Sequence, residues 1–241
     1  MNSVYKNIHT SIANSNRLLA ILIDPDKFLV ENTKTFIDKV NASKATHIFV
    51  GGSIVNDCLT EVLVSEIEKH SDLPIVLFPG DVSQITDKAD ALLFLSLLSG
   101  RNPEYLIGKH VRAVSKLENL TLEVIPTGYI LIESGKETAI ERVTKTLPIP
   151  RNNIEKIINT AKAGEFLGMK LIYLEAGSGA KEPLTKSIIK QVKKKLNIPL
   201  IVGGGIRSKI QLENAYNAGA NMVVIGTAFE EDEAFFNEIR K

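Results

Sequence analysis

Tyr173-Leu174-Glu175-Ala176-Gly177-Ser178-Gly179-Ala180 follows a short apolar run, Met169 to Ile172. The run reads as a buried strand, and the octet sets a phenol, a carboxylate and a turn of small residues at its C-terminal end. Two later runs end in the same manner: Ile198 to Val202 empties into Gly203-Gly204-Gly205, and Met222 to Ile225 into Gly226-Thr227. Buried strands that each end in a glycine turn before a helical stretch are the pattern of a parallel α/β sheet. Such turns also leave backbone N–H groups free to bind an anion. Glu175 beside them supplies a candidate base.

The same rhythm extends to the N-terminus. Further strands are predicted at Leu18–Ile23, Thr46–Val50, Ile75–Phe78, Ala91–Leu95 and Leu122–Ile125, with the later three at Lys170–Leu174, Ile198–Val202 and Met222–Ile225. Eight strands at a mean spacing of roughly 30 residues match the (β/α)8 barrel. No Gly/Ser/Pro-rich linker interrupts them, so one domain over residues 1–241 is expected. Two intervals break the rhythm. Phe78 to Ala91 is too short for a full crossover helix, so the third barrel helix is expected to be missing or replaced by extended chain. Ile125 to Lys170 is overlong and holds the apolar segment Tyr129-Ile130-Leu131-Ile132, which suggests extra structure over the face where strand 5 ends.

Helix punctuation agrees. Asn153–Phe166 is amphipathic, begins after Pro148 and Pro150, and stops before Gly168; Ser208 with Gln211 reads as a capping box, and Gly219 closes that helix. Lys190, Lys193, Lys194 and Lys195 read as a solvated helix end, not a nucleic-acid patch.

Composition narrows the function. A net charge of +1 gives no drive towards nucleic acid or an anionic surface, and 44% hydrophobic residues is ordinary for a globular protein. Cys58 is the single cysteine, which fits a reducing cytoplasm, and it reads as a small buried hydrophobe. Met1-Asn2-Ser3-Val4-Tyr5-Lys6 lacks the layout of a signal peptide, and no apolar stretch approaches the ~20 residues of a spanning helix. The four histidines show no metal-ligand spacing, and His47 reads as a structural imidazole within a strand. Neither a Walker A pattern nor Gly-x-Gly-x-x-Gly follows a strand, so nucleotide binding has little support.

In a barrel the chemistry gathers where the strands end. Asp24, in Asp24-Pro25-Asp26-Lys27, is either a turn-former before proline or a ligand for a divalent cation. Gly51-Gly52-Ser53 is either a plain turn or a close backbone approach with a hydroxyl ligand, and carboxylate plus hydroxyl plus substrate phosphate is a usual Mg²⁺ arrangement. The glycines after strands 7 and 8 either permit tight turns or bind phosphate, the recurrent role of that position. Tyr173 points to the same face as Glu175 by strand alternation. Phe78, Phe94, Leu97, Leu98, Tyr105, Tyr129 and Ile130 belong to the core or line an apolar groove beside the missing helix.

Five of these segments in combination are similar to a known family. The chain resembles the geranylgeranylglyceryl phosphate synthases through Leu22-Ile23-Asp24-Pro25-Asp26, Val50-Gly51-Gly52-Ser53, Tyr173 to Gly179, Gly203-Gly204-Gly205-Ile206-Arg207 and Ile225-Gly226-Thr227. The last two recur in many phosphate-binding barrels; the first three together are far more specific. The resemblance implies a modified barrel without a regular third helix, and a homo-oligomer, dimer or hexamer. It also implies an ether-forming transfer, in which the C3 hydroxyl of sn-glycerol 1-phosphate attacks C1 of geranylgeranyl diphosphate and releases diphosphate. Asp24 and Ser53 would then hold Mg²⁺. Tyr173, Leu174, Glu175, Ala176, Gly177, Ser178, Gly179, Gly204, Gly205, Gly226 and Thr227 would hold glycerol phosphate, with Glu175 acting on the attacking hydroxyl beside Tyr173. A related bacterial subfamily makes a heptaprenyl product; it carries Lys two before the strand-1 aspartate and a shorter turn after the glutamate. Leu22 and Ala176-Gly177-Ser178-Gly179 fit the archaeal-type pattern better. Two readings compete: a sugar-phosphate isomerase or lyase sharing only the phosphate cradle, which leaves Asp24 with Ser53 unexplained, and a non-catalytic phosphate sensor.

Overall fold

The computed structural model describes residues 3–53, 58–231 and 234–240; Met1 and Asn2 of the N-terminal segment read above lie outside them. Eight parallel strands close into a barrel in sequence order. They are β1 (Leu18–Ile23), β2 (His47–Val50), β3 (Ile75–Leu77), β4 (Ala91–Leu97), β5 (Glu123–Leu131), β6 (Leu171–Glu175), β7 (Leu200–Gly203) and β8 (Met222–Ile225). The seam is closed by β1 against β8, with Leu18 opposite Met222 and Ile21 opposite Ile225.

Each strand is buried on both faces, which explains its near-continuous apolar sequence. Alternate residues divide between two cores. Leu18, Ala20, Phe49, Leu93, Tyr173 and Val224 fill the barrel. Leu19, Ile21, Ile48, Leu92, Ile172 and Val223 meet the surrounding helices.

Those helices are α1 (Val4–Ala13), α2 (Thr33–Ala42), α3 (Leu59–Glu68), α4 (Lys109–Leu117), α5 (Ala139–Thr144), α6 (Ile154–Phe166), α7 (Lys186–Lys193), α8 (Lys209–Asn217), α9 (Thr227–Glu231) and α10 (Phe235–Glu238). α1 lies under the barrel, where Val4 and Ile8 join the inner core. Its first turn is held by Glu123, whose carboxylate accepts from Ser3 Oγ (2.7 Å), Val4 N (2.6 Å) and Tyr5 N (3.4 Å).

The β3–β4 connection bears out the missing third helix: it carries only one 3₁₀ turn, Val82–Gln84. The long interval after β5 divides in two. Tyr129 to Leu131 is not extra structure but the continuation of β5, pairing with Leu97 on β4 and with Tyr173 to Glu175 on β6. The extra structure is α5, started by a full capping box between Thr138 and Glu141. The box expected at Ser208 is half present. Ser208 Oγ accepts from Gln211 N, but the Gln211 amide oxygen accepts from Arg207 N (2.7 Å) instead of the N-cap backbone. Cys58 is exposed and left-handed (φ 69°) at the start of α3, not buried. His47 is buried beside Thr46, whose Oγ1 lies 2.8 Å from its Nδ1, while Nε2 has no partner among the described residues. Burial lowers its pKa to about 4, so it is a neutral core residue.

Candidate active site

Glu175 is the last residue of β6, between Leu131 on β5 and Gly203 on β7. It is only 5% exposed, which is costly for a carboxylate. Burial raises its pKa to about 7, against the opposing effect of the Gly177 N–H and the Tyr173 hydroxyl. Gly177 N donates to its Oε1 at 2.5 Å.

The glycines after β7 have a reason that sequence spacing does not show. A Cβ at Gly203 would overlap the Tyr173 hydroxyl and crowd Glu175 Oε2, and one at Gly204 would strike Glu175 Oε1. The turn is bare because the carboxylate needs the space. Gly204 and Gly205 also hold positive φ values of 86° and 72°, which glycine adopts without strain.

Tyr173 stands beside Glu175 with its hydroxyl buried and, among the described residues, without a well-aligned hydrogen bond. Burial, then the neighbouring Glu175 charge, keeps both Tyr173 and Tyr129 far above the usual phenol range. An orphaned hydroxyl facing a cleft is a place for a ligand's polar atom.

The cleft above these groups has a volume of about 630 Å³. Tyr173, Glu175, Gly177, Ser178, Gly179, Gly204, Gly205, Gly226 and Thr227 all line it; Leu174 and Ala176 do not, and both are buried. Ser178 Oγ and Thr227 Oγ1 lie 3.4 Å apart. Asp24 and Ser53 line the same cleft.

Asp24 Oδ1 accepts from Asp26 N at 3.2 Å, and its Oδ2 meets Lys27 Nζ at 2.8 Å. A Cβ at Gly52 would fall 2.5 Å from Asp24 Oδ1, so the glycine keeps room beside the carboxylate. Among the described residues no three His, Cys, Asp or Glu side chains converge as an all-protein metal cage. One carboxylate, one hydroxyl and open space suit Mg²⁺, which keeps waters and substrate oxygens in its shell.

Sequence reasoning missed part of the rim. Arg207 lines the cleft, donating from Nη1 to Ala180 O (2.8 Å) and from Nε to Glu231 Oε2 (3.2 Å). Its signal was its place just past the glycine turn. Arg142 and Ile140 of α5 also line the cleft, and a Cβ at Gly177 would overlap Thr138 Cγ2. The α5 segment therefore docks on the glycine turn that follows Glu175.

An apolar groove continues from the cleft where the third helix is absent. Phe78, Leu92, Phe94, Leu97, Tyr105 and Tyr129 line it. Ile130 instead packs outward in the core, and Leu98 faces a separate crevice beside α6. Gly52, Ser53, Phe78, Tyr129, Ile140 and Val143 line both cavities, so cleft and groove are continuous. His110, a groove residue unremarked by motif, lies 3.2 Å from Ser96 Oγ and 4.4 Å from the Phe94 ring, and burial lowers its pKa. Neutral imidazole suits apolar surroundings. Lys109 Nζ donates to Gly80 O and Asp81 Oδ2, both at 2.6 Å, and stands 4.5 Å over the Tyr105 ring, strapping the groove's two sides.

A (β/α)8 barrel whose cleft is walled by glycine turns, holds a buried carboxylate and opens into an apolar groove defines an enzyme-like site with one polar and one apolar compartment. Comparison with known proteins agrees: the chain belongs to the PcrB family, which matches residues 12–241. It is 54% identical over 237 residues to the geranylgeranylglyceryl phosphate synthase of Flavobacterium johnsoniae, covering 98% of each chain. It is 41% identical over 229 residues to the same-named protein of Pyrococcus furiosus, covering 94% of this chain and 90% of that one. A crystal structure of (S)-3-O-geranylgeranylglyceryl phosphate synthase from Thermoplasma acidophilum, in complex with substrate sn-glycerol-1-phosphate, superposes with a TM-score of 0.92 at 32% identity. That match covers 99% of this chain and 96% of that one. An N-acetylmannosamine-6-phosphate 2-epimerase from Clostridium perfringens, 12% identical with a TM-score of 0.56, shares the fold alone.

Proposed function

We propose that the protein is a prenyltransferase that joins the C3 hydroxyl of sn-glycerol 1-phosphate to C1 of geranylgeranyl diphosphate through an ether bond. The observation that carries this reading is Glu175, a buried carboxylate with a pKa of about 7 beside the junction of a cleft walled by glycine turns and an apolar groove. The names of the relatives, and the glycerol phosphate held by the Thermoplasma acidophilum structure, support it.

Glycerol phosphate takes the turns at Gly177 to Gly179, Gly204-Gly205 and Gly226-Thr227, with Tyr173 holding the glycerol. Glu175 accepts the C3 hydroxyl proton as the oxygen attacks. The C1–O bond of the diphosphate ester breaks, and its electron pair leaves with diphosphate. The prenyl chain lies in the groove. Asp24 and Ser53 are proposed to hold Mg²⁺, which when bound neutralises charge on the diphosphate. Lys27 Nζ, beside Asp24, adds positive charge at the same rim.

Incubation with labelled sn-glycerol 1-phosphate, Mg²⁺ and prenyl diphosphates from C10 to C35 tests the reading. A magnesium-dependent, organic-extractable product, greatest with the C20 diphosphate, is the expected result. Absence of an extractable product with every diphosphate would sink it; a best product at C35 would retain the chemistry and reassign the chain length.

A further inference from the structure

Three aromatic rings meet where cleft and groove join. Their centroids are 5.2 Å apart for Phe78 and Tyr173, 5.7 Å for Phe78 and Tyr129, and 5.3 Å for Tyr129 and Tyr173. Phe49 stacks against Phe78 at 6.5 Å from within the barrel. Phe78 follows β3, is half-buried, and lines both cavities.

The transfer read above fixes where C1 must lie. The chain comes from the groove, the diphosphate reaches towards Asp24 and Ser53, and the attacking hydroxyl stands at Glu175. These requirements converge on the ring triangle. As an allylic C1–O bond lengthens, positive charge develops on the prenyl carbons. The described residues shared by the two cavities include no charged side chain, and Glu175, which lines the cleft beside Tyr173, is committed to the attacking hydroxyl. An aromatic face attracts a cation through its quadrupole and, unlike water, offers no oxygen to capture it.

We propose that Phe78, with Tyr129 beside it, is a catalytic residue of the transfer: its ring stabilises the developing allylic cation and keeps water from it. This rests on the prenyl-transfer reading and names a residue for which that reading has no role. The electron count is that of the transfer itself. The pair of the broken C1–O bond leaves with diphosphate, an oxygen lone pair of glycerol phosphate forms the ether bond, and the hydroxyl proton goes to Glu175. Burial keeps the Tyr129 and Tyr173 phenols protonated, so neither competes as a nucleophile.

The test replaces Phe78 by 4-fluoro-, 3,5-difluoro- and 3,4,5-trifluorophenylalanine, which nearly preserve shape while weakening the ring quadrupole. Single-turnover rates with the C20 diphosphate are expected to fall stepwise, by about tenfold across the series or about 1.4 kcal/mol, with KM little changed. Phe78→Leu is expected to divert diphosphate ester towards free prenyl alcohol, and Phe78→Tyr to restore ether formation. A flat rate across the fluorinated series, with unchanged partition in Phe78→Leu, overturns the proposal while leaving prenyl transfer in place. If the unsubstituted protein makes no ether from any diphosphate, both readings fall.

Discussion

At the scale of single residues, Glu175 shows what a sequence reveals and what it withholds. Its place after a buried strand and beside glycine turns marked it as a base. Its depth was not legible, because the burial comes from Gly203 and Tyr173, which strand pairing brings together. That burial has two measurable consequences. Glu175→Gln is expected to lower the transfer rate by roughly 10² to 10⁴, with affinity for glycerol phosphate changed less. The wild-type rate should climb with pH through about 7, as the carboxyl ionises, and the variant should lack that limb. Stability runs the other way. Below the ordinary value of 4.5 the carboxyl is protonated in folded and unfolded chains alike; as pH rises to about 7 the unfolded chain ionises first and the fold is disfavoured. A shift of this size corresponds to roughly 3 kcal/mol. Denaturation at pH 8 should find Glu175→Gln more stable than wild type, with the gap closing towards pH 4; a less stable variant at pH 8 would refute the burial argument. Asp24→Asn keeps the acceptor for Asp26 N and gives up only an ion pair with a half-exposed lysine, so the fold should persist. Turnover should fall by about two orders of magnitude, within the several kcal/mol that charge stabilisation by a metal supplies. Wild-type turnover with an unaltered Mg²⁺ response would remove Asp24 from the metal site.

At the scale of elements, β1 and β8 match their predicted bounds because each is an unbroken apolar run between clear turn signals. β5 runs past its predicted end at Ile125, through Pro126 and Gly128, residue types uncommon inside strands. In the barrel Pro126 still uses its carbonyl, which accepts from Lys170 N at 2.8 Å, and the strand continues to Leu131. The capping box that starts α5 was present as Thr138-Ala139-Ile140-Glu141, but a helix of this length has no periodicity to announce it. The groove follows from an interval too short for a helix, and Tyr105 is one of the side chains that line it. Tyr105 sits in the π-helical turn Glu104–Gly108 that leads into α4, its ring under Lys109 Nζ and its hydroxyl donating to Val143 O at 3.3 Å. Leu106, equally placed by sequence, faces the crevice beside α6 instead. Tyr105→Ala should therefore raise the efficiency of a C35 diphosphate relative to C20, since each further buried CH₂ contributes about 0.8 kcal/mol. Leu106→Ala should leave that ratio alone. An unchanged ratio in Tyr105→Ala would place the chain-length stop elsewhere.

At the scale of the whole molecule, the barrel separates its duties by end. Both cavities and the candidate site residues that line them lie where the strands finish, while the opposite end is sealed by α1. The seal went unread in the sequence, although Val4, Ile8 and Ile12 recur at helical spacing; its meaning depends on an acceptor 119 residues away from Val4. Glu123 at the start of β5 takes three hydrogen bonds from the first turn of α1, placing negative charge where a helix N-terminus favours it. A charge-assisted cap of this kind contributes about 1–3 kcal/mol, and removing it also leaves half-buried donors unpaired. Glu123→Gln keeps the size and one acceptor, so its cost should sit at the lower end, with Glu123→Ala above it. Neither variant touches the cleft or the groove, so turnover measured well below the unfolding transition should match wild type. Urea denaturation should show a lower midpoint with an unchanged slope, the mark of lost stability without a change in the surface exposed on unfolding. The reverse outcome, slowed turnover at an unshifted midpoint, would mean that the sealed end is coupled to the open one.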